Sequence, residues 1–236
     1  MSQIDQISVF LPAYNEEANL RSTIENVTTN LKKNFAVWEL IVVNDGSKDN
    51  TEKVVKSIMK TNPHVRMITH SPNRGYGGAL KTGLYESKYR YIGFSDSDGQ
   101  FDLSEITKFT PYFPEYDMVI GYRAHRADPL PRKVLAFMLK IWNYFWFQFM
   151  VKDTDCAFKV FKKEVVEKIP SLKTESAITT TEFLIKVKQA GFKIKEVPVT
   201  HLERVGGKST GGNPKVILRA ARETIKLWYV LKILGK

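Results

Sequence analysis

Short apolar runs alternate with helical patterns through the first 121 of the 236 residues, and this rhythm constrains the fold more than any other feature. The amphipathic patterns predict helices at 16–33, after the capping residue Asp49, and at 78–87. Strands that alternate with helices at this pace form β-α-β units, so we expect an α/β fold around a mostly parallel sheet. The apolar runs that predict strands are 7–11, 40–43, 65–68, 91–94 and 118–120.

Polar clusters follow three of these predicted strands, at 12–16, 44–47 and 96–100. In open α/β sheets, ligands bind beyond the carboxyl ends of the strands. Because those ends meet at one edge of a parallel sheet, we expect the three clusters to form a single site.

The cluster at 96–100 contains two carboxylates, Asp96 and Asp98, at the end of an apolar strand. Alternate residues of a strand point to the same side, so both can face one point beyond the sheet edge. Two convergent carboxylates repel each other unless positive charge lies between them, and hard cations such as Mg2+ or Mn2+ take oxygen ligands. The pattern predicts a metal site, with a polar turn as the alternative.

Length and composition fit one large globular domain, or one domain with an appendage. The single cysteine, Cys156, excludes an internal disulfide framework and suits a reducing cytosol. The polar start of the chain leads us to expect no export segment.

The charge of the chain is unevenly spread. Its net charge is +11, and residues 193–236 hold ten Lys or Arg against three acids. This basic end predicts contact with phosphates or an anionic membrane surface, with a merely solvated basic face as the alternative. We expect no nucleic-acid partner, because the basic residues follow no recognised nucleic-acid-binding module.

Eight motifs follow one another along the chain from residue 11 to residue 209. They are Leu-Pro-Ala-Tyr-Asn-Glu at 11–16, Val-Asn-Asp-Gly-Ser at 43–47, Asn-Arg-Gly-Tyr-Gly at 73–77, Asp-Ser-Asp-Gly-Gln at 96–100, Gly-Tyr-Arg at 121–123, Lys-Lys-Glu-Val at 162–165, Glu-Val-Pro-Val at 196–199 and Arg-Val-Gly-Gly-Lys-Ser at 204–209. In this order and spacing they resemble the family 2 glycosyltransferases, and among these the polyprenyl-phosphate sugar synthases of the dolichol-phosphate mannose synthase type. The resemblance implies a GT-A (Rossmann-like) domain at 1–212. Its nucleotide-sugar-binding half would be 1–121 and its acceptor half 122–212, followed by a basic amphipathic helix at 213–236.

The resemblance also implies a nucleotide-diphosphate sugar as donor, with GDP-mannose favoured and UDP-sugars left open. The residues implied in holding the nucleoside are Pro12, Tyr14, Glu16, Val43 and Asp45. The implied ligands of a Mg2+ or Mn2+ ion at the diphosphate are Asp96, Asp98 and Gln100, and Ser97 belongs to the same donor-binding set.

The implied acceptor is a polyprenyl or dolichyl phosphate, held by basic side chains. Arginine's planar fork suits phosphate oxygens. The chain departs from the family's late loop, because Lys208 precedes Ser209, whereas many relatives have a lysine after the serine; we assign the positive charge to Lys208. The residues implied in binding the acceptor phosphate are Arg123, Arg126, Arg132, Arg204, Lys208 and Ser209.

Catalysis is expected to depend on Asp98, Arg123 and Arg204 without a strong general base, because a phosphate acceptor is already ionised near neutral pH. A saccharide hydroxyl as acceptor would need a carboxylate base. Glu182 and Asp153, with Asp155 nearby, are the candidates, and the alternative role for Glu182 is to support the arginines through ion pairs. A hydroxyl-directed transferase and a catalytically silent nucleotide-sugar-binding module that recruits a membrane partner stay open as alternatives.

Two stretches point to a membrane surface. Residues 134–151 are apolar and aromatic with one charge, and 215–234 form a basic amphipathic pattern. We expect the first to be an interfacial helix, with a buried core helix as the alternative, and the second to lie on anionic lipid. The expected protein is cytoplasmic and peripheral on the cytosolic face of a membrane, either alone or with a membrane subunit.

Overall fold

The computed structural model describes residues 4–113, 115–125, 130–204, 206 and 214–232. Within these residues, a seven-stranded sheet is flanked by seven α-helices and two short 3-10 turns. The strands are β1 (Gln6–Ala13), β2 (Val37–Asn44), β3 (Val65–Thr69), β4 (Tyr91–Phe94), β5 (Met118–His125), β6 (Lys159–Lys162) and β7 (Ile194–Thr200). The α-helices are α1 (Leu20–Asn34), α2 (Thr51–Met59), α3 (Tyr76–Glu86), α4 (Leu130–Phe147), α5 (Lys163–Lys168), α6 (Ile178–Gln189) and α7 (Pro214–Lys232).

The sheet has the strand order β3-β2-β1-β4-β6-β5-β7 and is mostly parallel, which confirms the predicted fold class. β6 is the exception, since it runs antiparallel between β4 and β5. Its first residue, Lys159, pairs with Phe94, the last residue of β4. The segment that precedes β6 therefore lies at the carboxyl edge of β4, beside Asp96 and Asp98.

The predicted strands and helices are confirmed, with differences at their ends. β4 begins and ends where the apolar run predicted. β5 is longer than predicted and continues to His125. The first helix begins at Leu20 instead of residue 16, and residues 17–19 form a turn before it.

Close packing beneath the carboxyl edge fixes the position of the β4 tip. The rings of Phe10 on β1 and Phe94 on β4 stack with their centroids 5.2 Å apart. α3 crosses this pair at Gly83, where a Cβ atom would overlap the Phe10 ring. The glycine thus allows α3 to approach the sheet closely, and the buried rings hold the end of β4 in place.

The two candidate membrane segments form helices that pack against each other. α4 and α7 contact through Trp146 and Trp228, whose ring centroids lie 5.5 Å apart. No helix among the described residues has both the length and the apolar character that crossing a bilayer requires. The division of the chain at residue 212 stays a prediction.

Candidate functional site

The three polar clusters lie together at the carboxyl edge of the sheet. The Ser97 hydroxyl donates to the carbonyl oxygen of Pro12 over 2.7 Å. The backbone N–H of Asn15 donates to the Ser47 hydroxyl, 3.0 Å away, and the Asn15 side chain accepts from the N–H of Lys48. These bonds join the ends of β1, β2 and β4 into one surface, as the positions of the clusters predicted.

Asp96 and Asp98 form the acidic centre of this surface. Burial and the negative charge of Asp98 raise the pKa of Asp96 to about 7. The Tyr76 hydroxyl donates to Asp96 over 3.3 Å. Two carboxylates that repel in this way fit a divalent cation, which would favour their ionised forms. Within the described part of the chain, no three His, Cys, Asp or Glu side chains group into a metal site, so such an ion would take further ligands from a bound diphosphate or water.

Arg204 links Glu16, which follows β1, to the acidic pair. Its guanidinium donates to Glu16 over 2.6 Å and to Asp98 over 3.1 Å, and its Nε donates to the carbonyl oxygen of Gly206. The side chain is largely buried, so these bonds form away from the full screening of water. Arg204 thus compensates the negative charge of Asp98 directly, a contact that the sequence did not predict.

Gln100 holds the segment that carries Arg204. Its side-chain amide donates to the carbonyl oxygen of Leu202 over 3.0 Å. Its main-chain carbonyl oxygen accepts from the Leu202 N–H over 2.9 Å. In this structure Gln100 therefore links the two segments, and its role as a metal ligand stays a prediction.

Arg123 is held by Asp153 at the end of β5. Its Nε and Nη2 lie 2.6 and 2.8 Å from the two carboxylate oxygens, which is a bidentate pair. Burial opposes the charge of Arg123, but the hydrogen bonds and charge of Asp153 outweigh it and raise the arginine pKa above its ordinary value. Asp153 therefore orients an arginine here, which makes it a poor candidate for a general base.

Lys159 is a buried cation beneath the site that the sequence analysis missed. Its ammonium donates to the carbonyl oxygens of Thr154 and Cys156 and lies 5.3 Å from the centroid of the Phe94 ring. Burial lowers its pKa, while the nearby carboxylates favour its charged form. It thus holds the turn that follows Asp153. The signal was present, since a lysine interrupts the apolar run 156–161.

Asp45 is buried and organises the loop that leads into α3. Its carboxylate accepts from the backbone N–H groups of Arg74 and Gly75, over 2.9 and 2.8 Å. His70 Nδ1 lies 2.6 Å from the same carboxylate, and His70 Nε2 is within hydrogen-bond distance of Thr82. The sequence singled out Asp45 but not His70. Direct contact of Asp45 with a nucleoside stays a prediction, since several of its lone pairs are already used.

The other residues assigned to the nucleoside differ in accessibility. Tyr14 is half-buried, whereas Pro12 is buried. Val43 is fully buried, so a nucleoside would meet its main chain and not its side chain. Glu16 is nearly buried and accepts from the side chains of Asn19 and Arg204.

Glu182, a candidate base or support for the arginines, has other partners in the structure, and its assigned role stays a prediction. Glu182 is fully buried, forms an ion pair with Lys186 over 2.7 Å, and accepts from the N–H groups of Lys173 and Thr174. Glu182 and Lys186 lie four residues apart on α6 and so share one face of the helix. The carboxylate stabilises the 173–174 turn and, among the arginines whose side chains the structure describes, contacts neither Arg123 nor Arg204.

Three residues assigned to the acceptor phosphate, Arg126, Lys208 and Ser209, lie outside the described residues. Arg132 lies in the first turns of α4, and its side chain is also outside the described part. Their roles stay predictions.

The chain is similar to known glycosyltransferases in sequence and in fold. Residues 8–169 match the family model for glycosyl transferase family 2. The chain is 28% identical to a dolichyl-phosphate beta-glucosyltransferase of Saccharomyces cerevisiae, over 96% of this chain and 76% of the yeast protein. It is 30% identical to the dolichyl-phosphate beta-glucosyltransferase of Homo sapiens, over 88% of this chain and 70% of the human protein.

Solved structures of glucosyl-3-phosphoglycerate synthase from Mycobacterium tuberculosis have the same fold. The structure with Mn2+, UDP-glucose and phosphoglyceric acid has a TM-score of 0.70 and 20% identity, over 95% of this chain and 79% of that chain. The structure with Mg2+ and UDP also has a TM-score of 0.70, at 19% identity and with 95% and 78% covered. At this level of identity the likeness shows a shared GT-A fold.

Proposed function

The chain belongs to glycosyl transferase family 2, and from that premise we propose that it transfers glucose from UDP-glucose to a polyprenyl phosphate of the dolichyl type. The observation that carries the proposal is the acidic pair Asp96 and Asp98 lying beside Arg204, at the same edge of the sheet as the Arg123–Asp153 pair. The similarity of the chain to dolichyl-phosphate beta-glucosyltransferases makes glucose a better choice of sugar than the mannose that the sequence resemblance favoured.

The donor would bind along the ends of β1, β2 and β4. Asp96 and Asp98 would hold Mg2+ or Mn2+ against the diphosphate, and Tyr14 would offer a ring face to the base. The ion would act as a Lewis acid that offsets the charge developing on the departing nucleoside diphosphate. Solved structures of the same fold contain UDP-glucose, which makes it the first donor to test.

The acceptor phosphate would bind where Arg123 and Arg204 provide cationic side chains. One of its oxygens forms a bond to the anomeric carbon of the sugar as the bond from that carbon to the diphosphate breaks. An ionised phosphate needs no proton removed, so the residues have only to bind and orient it. The engagement of Asp153 with Arg123 and of Glu182 with Lys186 supports a site without a carboxylate base.

A transfer assay tests both substrates at once. UDP-glucose and GDP-mannose are each incubated with polyprenyl phosphate or a soluble saccharide, with Mn2+, with Mg2+ or with a chelator, and products are identified by mass spectrometry. We expect glucosyl polyprenyl phosphate from UDP-glucose, and its loss with the chelator. Transfer only to the saccharide would favour a hydroxyl acceptor, and donor binding without transfer or hydrolysis would favour a silent binding module.

We also propose that the protein contacts an anionic membrane on its cytosolic face through what we term the α4–α7 surface. This surface consists of the exposed apolar side chains of the packed helices α4 and α7 with the basic residues Arg222 and Lys226 of α7. Phe137 and Phe145 on α4 are 64% and 70% exposed. Arg222 and Lys226 on α7 are exposed as well. Aromatic side chains favour the headgroup region and basic residues are attracted by anionic lipids, which suits this combination.

Vesicle flotation tests this surface. Replacing Phe137 and Phe145 together with serine should weaken binding to phosphatidylserine-containing vesicles by at least about tenfold, because each ring buries apolar area in the interface. Val37→Ser is the matched control, since Val37 is an exposed apolar residue at the start of β2, outside the α4–α7 surface. Equal flotation of the control and the double variant would remove the surface from the proposal.

A further inference from the structure

The segment 173–176 lies between the loop before α3 and the C-terminal helix α7. We propose that Glu175 in this segment is a positioning residue for the donor side of the site, because it joins Arg74 and the start of α3 to α7. The proposal rests on the proposed function. It states that this contact supports the binding of the nucleotide sugar by holding the loop before α3 in place.

Three cations surround the Glu175 carboxylate. Lys81 Nζ lies 2.9 Å and Arg74 Nη2 3.1 Å from the same oxygen, and Arg219 Nη2 lies 3.9 Å from the other. The hydrogen bonds from Lys81 and Arg74 lower the pKa of Glu175, so the group stays ionised at neutral pH. Isolated surface ion pairs contribute little, but three cations from three parts of the chain form a network.

The main chain of the segment reinforces the connection on both sides. The carbonyl oxygen of Glu175 accepts from the N–H of Gly77 in the first turn of α3. On the other side, the N–H groups of Glu175 and Ser176 donate to Glu223 of α7, over 3.1 and 3.0 Å. Glu223 is itself paired with Arg219 over 3.1 Å. The segment therefore bridges α3 and α7 through side chains and backbone together.

The loop held by Glu175 is part of the donor side. The N–H groups of Arg74 and Gly75 donate to Asp45, and the Tyr76 hydroxyl contacts Asp96. Space around the loop is tight, because a Cβ atom at Gly77 would come within 2.6 Å of the backbone of Glu175. Asp45 thus holds the loop on the side of the sheet, and Glu175 holds it on the side of the helices. A change at Glu175 should therefore alter the position of the loop between Asp45 and Asp96.

A substitution at Glu175 is expected to weaken the use of the donor and to leave the use of the acceptor nearly unchanged. Glu175→Gln keeps the shape and the backbone bonds but removes the charge that attracts Arg74, Lys81 and Arg219. We expect the KM for UDP-glucose to rise about fivefold, with the KM for polyprenyl phosphate changed by less than about twofold. A merely structural role would lower the melting temperature and change both KM values alike.

The experiment compares wild type, Glu175→Gln and the control Glu164→Gln, which loses only an exposed i,i+4 pair with Lys168. Steady-state KM values for both substrates are measured with the thermal shift caused by UDP-glucose and Mn2+, which reports donor binding without turnover. Arg219→Gln is the second variant if Glu175→Gln does not fold. Its side chain is about half exposed, and it should also raise the donor KM selectively.

The outcomes separate this proposal from the proposed function. If wild type neither binds nor uses a nucleotide sugar, the function is wrong and the role of Glu175 falls with it. If wild type binds and transfers while the folded variant has an unchanged donor KM, or equal changes for both substrates, only the positioning role is refuted. A selective donor effect that is absent in Glu164→Gln supports it.

Discussion

Asp98→Asn is expected to lower transfer by about a thousandfold, because a metal-assisted step depends on several kcal/mol of charge stabilisation at the diphosphate. Asparagine keeps the shape of the side chain and the oxygen that accepts from the Gln100 N–H. It removes the negative charge that raises the pKa of Asp96 and that pairs with Arg204. The loss should appear in kcat/KM for the nucleotide sugar.

The melting temperature of Asp98→Asn should not fall with its activity. The variant removes the repulsion between the two carboxylates, and Arg204 keeps its ion pair with Glu16 when the one with Asp98 is lost. The melting temperature is therefore expected to stay level or rise, a pattern typical of functional sites. Asp102→Asn is the matched control, because Asp102 caps the first 3-10 turn four residues away and asparagine also caps well. Transfer at the wild-type rate in Asp98→Asn would remove the metal assignment, and a large fall in melting temperature would make the kinetic loss a folding effect.

The first half of the sheet was predictable because each strand is an apolar run bounded by turn residues. β4 shows this clearly, since Tyr91–Phe94 is followed at once by a polar cluster. β6 and β7 were not predicted. Lys159 interrupts the apolar pattern of β6, and Pro198 lies within β7, although both strands pair in the sheet. A buried lysine is tolerated there because backbone carbonyl groups accept from its ammonium.

The place of the site was predictable, but its ion pairs were not. Carboxyl ends of parallel strands lie at one edge, and β2, β1 and β4 are neighbours in the sheet, so the clusters that follow them converge. The partner of each charge depends on the folded topology. Arg204 meets Asp98 across 106 residues of sequence. Arg123 meets Asp153 because antiparallel β6 begins at the carboxyl edge, so the segment before it lies there. Glu182 is the opposite case, since its partner Lys186 lies one helical turn away.

Arg123→Ala should affect stability and acceptor use together. The Arg123 and Asp153 side chains are 6% and 11% exposed, so truncating the arginine leaves a carboxylate buried without its bidentate partner. Breaking such a pair costs about 3 kcal/mol of unfolding free energy, which urea denaturation would measure. Loss of a guanidinium from the acceptor phosphate should lower kcat/KM for polyprenyl phosphate by roughly tenfold to a hundredfold.

Two further variants separate the two effects. Arg123→Ala combined with Asp153→Ala removes the buried carboxylate as well, so stability should recover in large part while acceptor use stays low. Arg66→Ala breaks an ion pair with the buried carboxylate of Glu39, near the start of β2 and away from the carboxyl edge. It should lower stability and leave the KM for polyprenyl phosphate unchanged. If the double variant regained acceptor use with its stability, Arg123 would serve the fold and another cation would bind the phosphate.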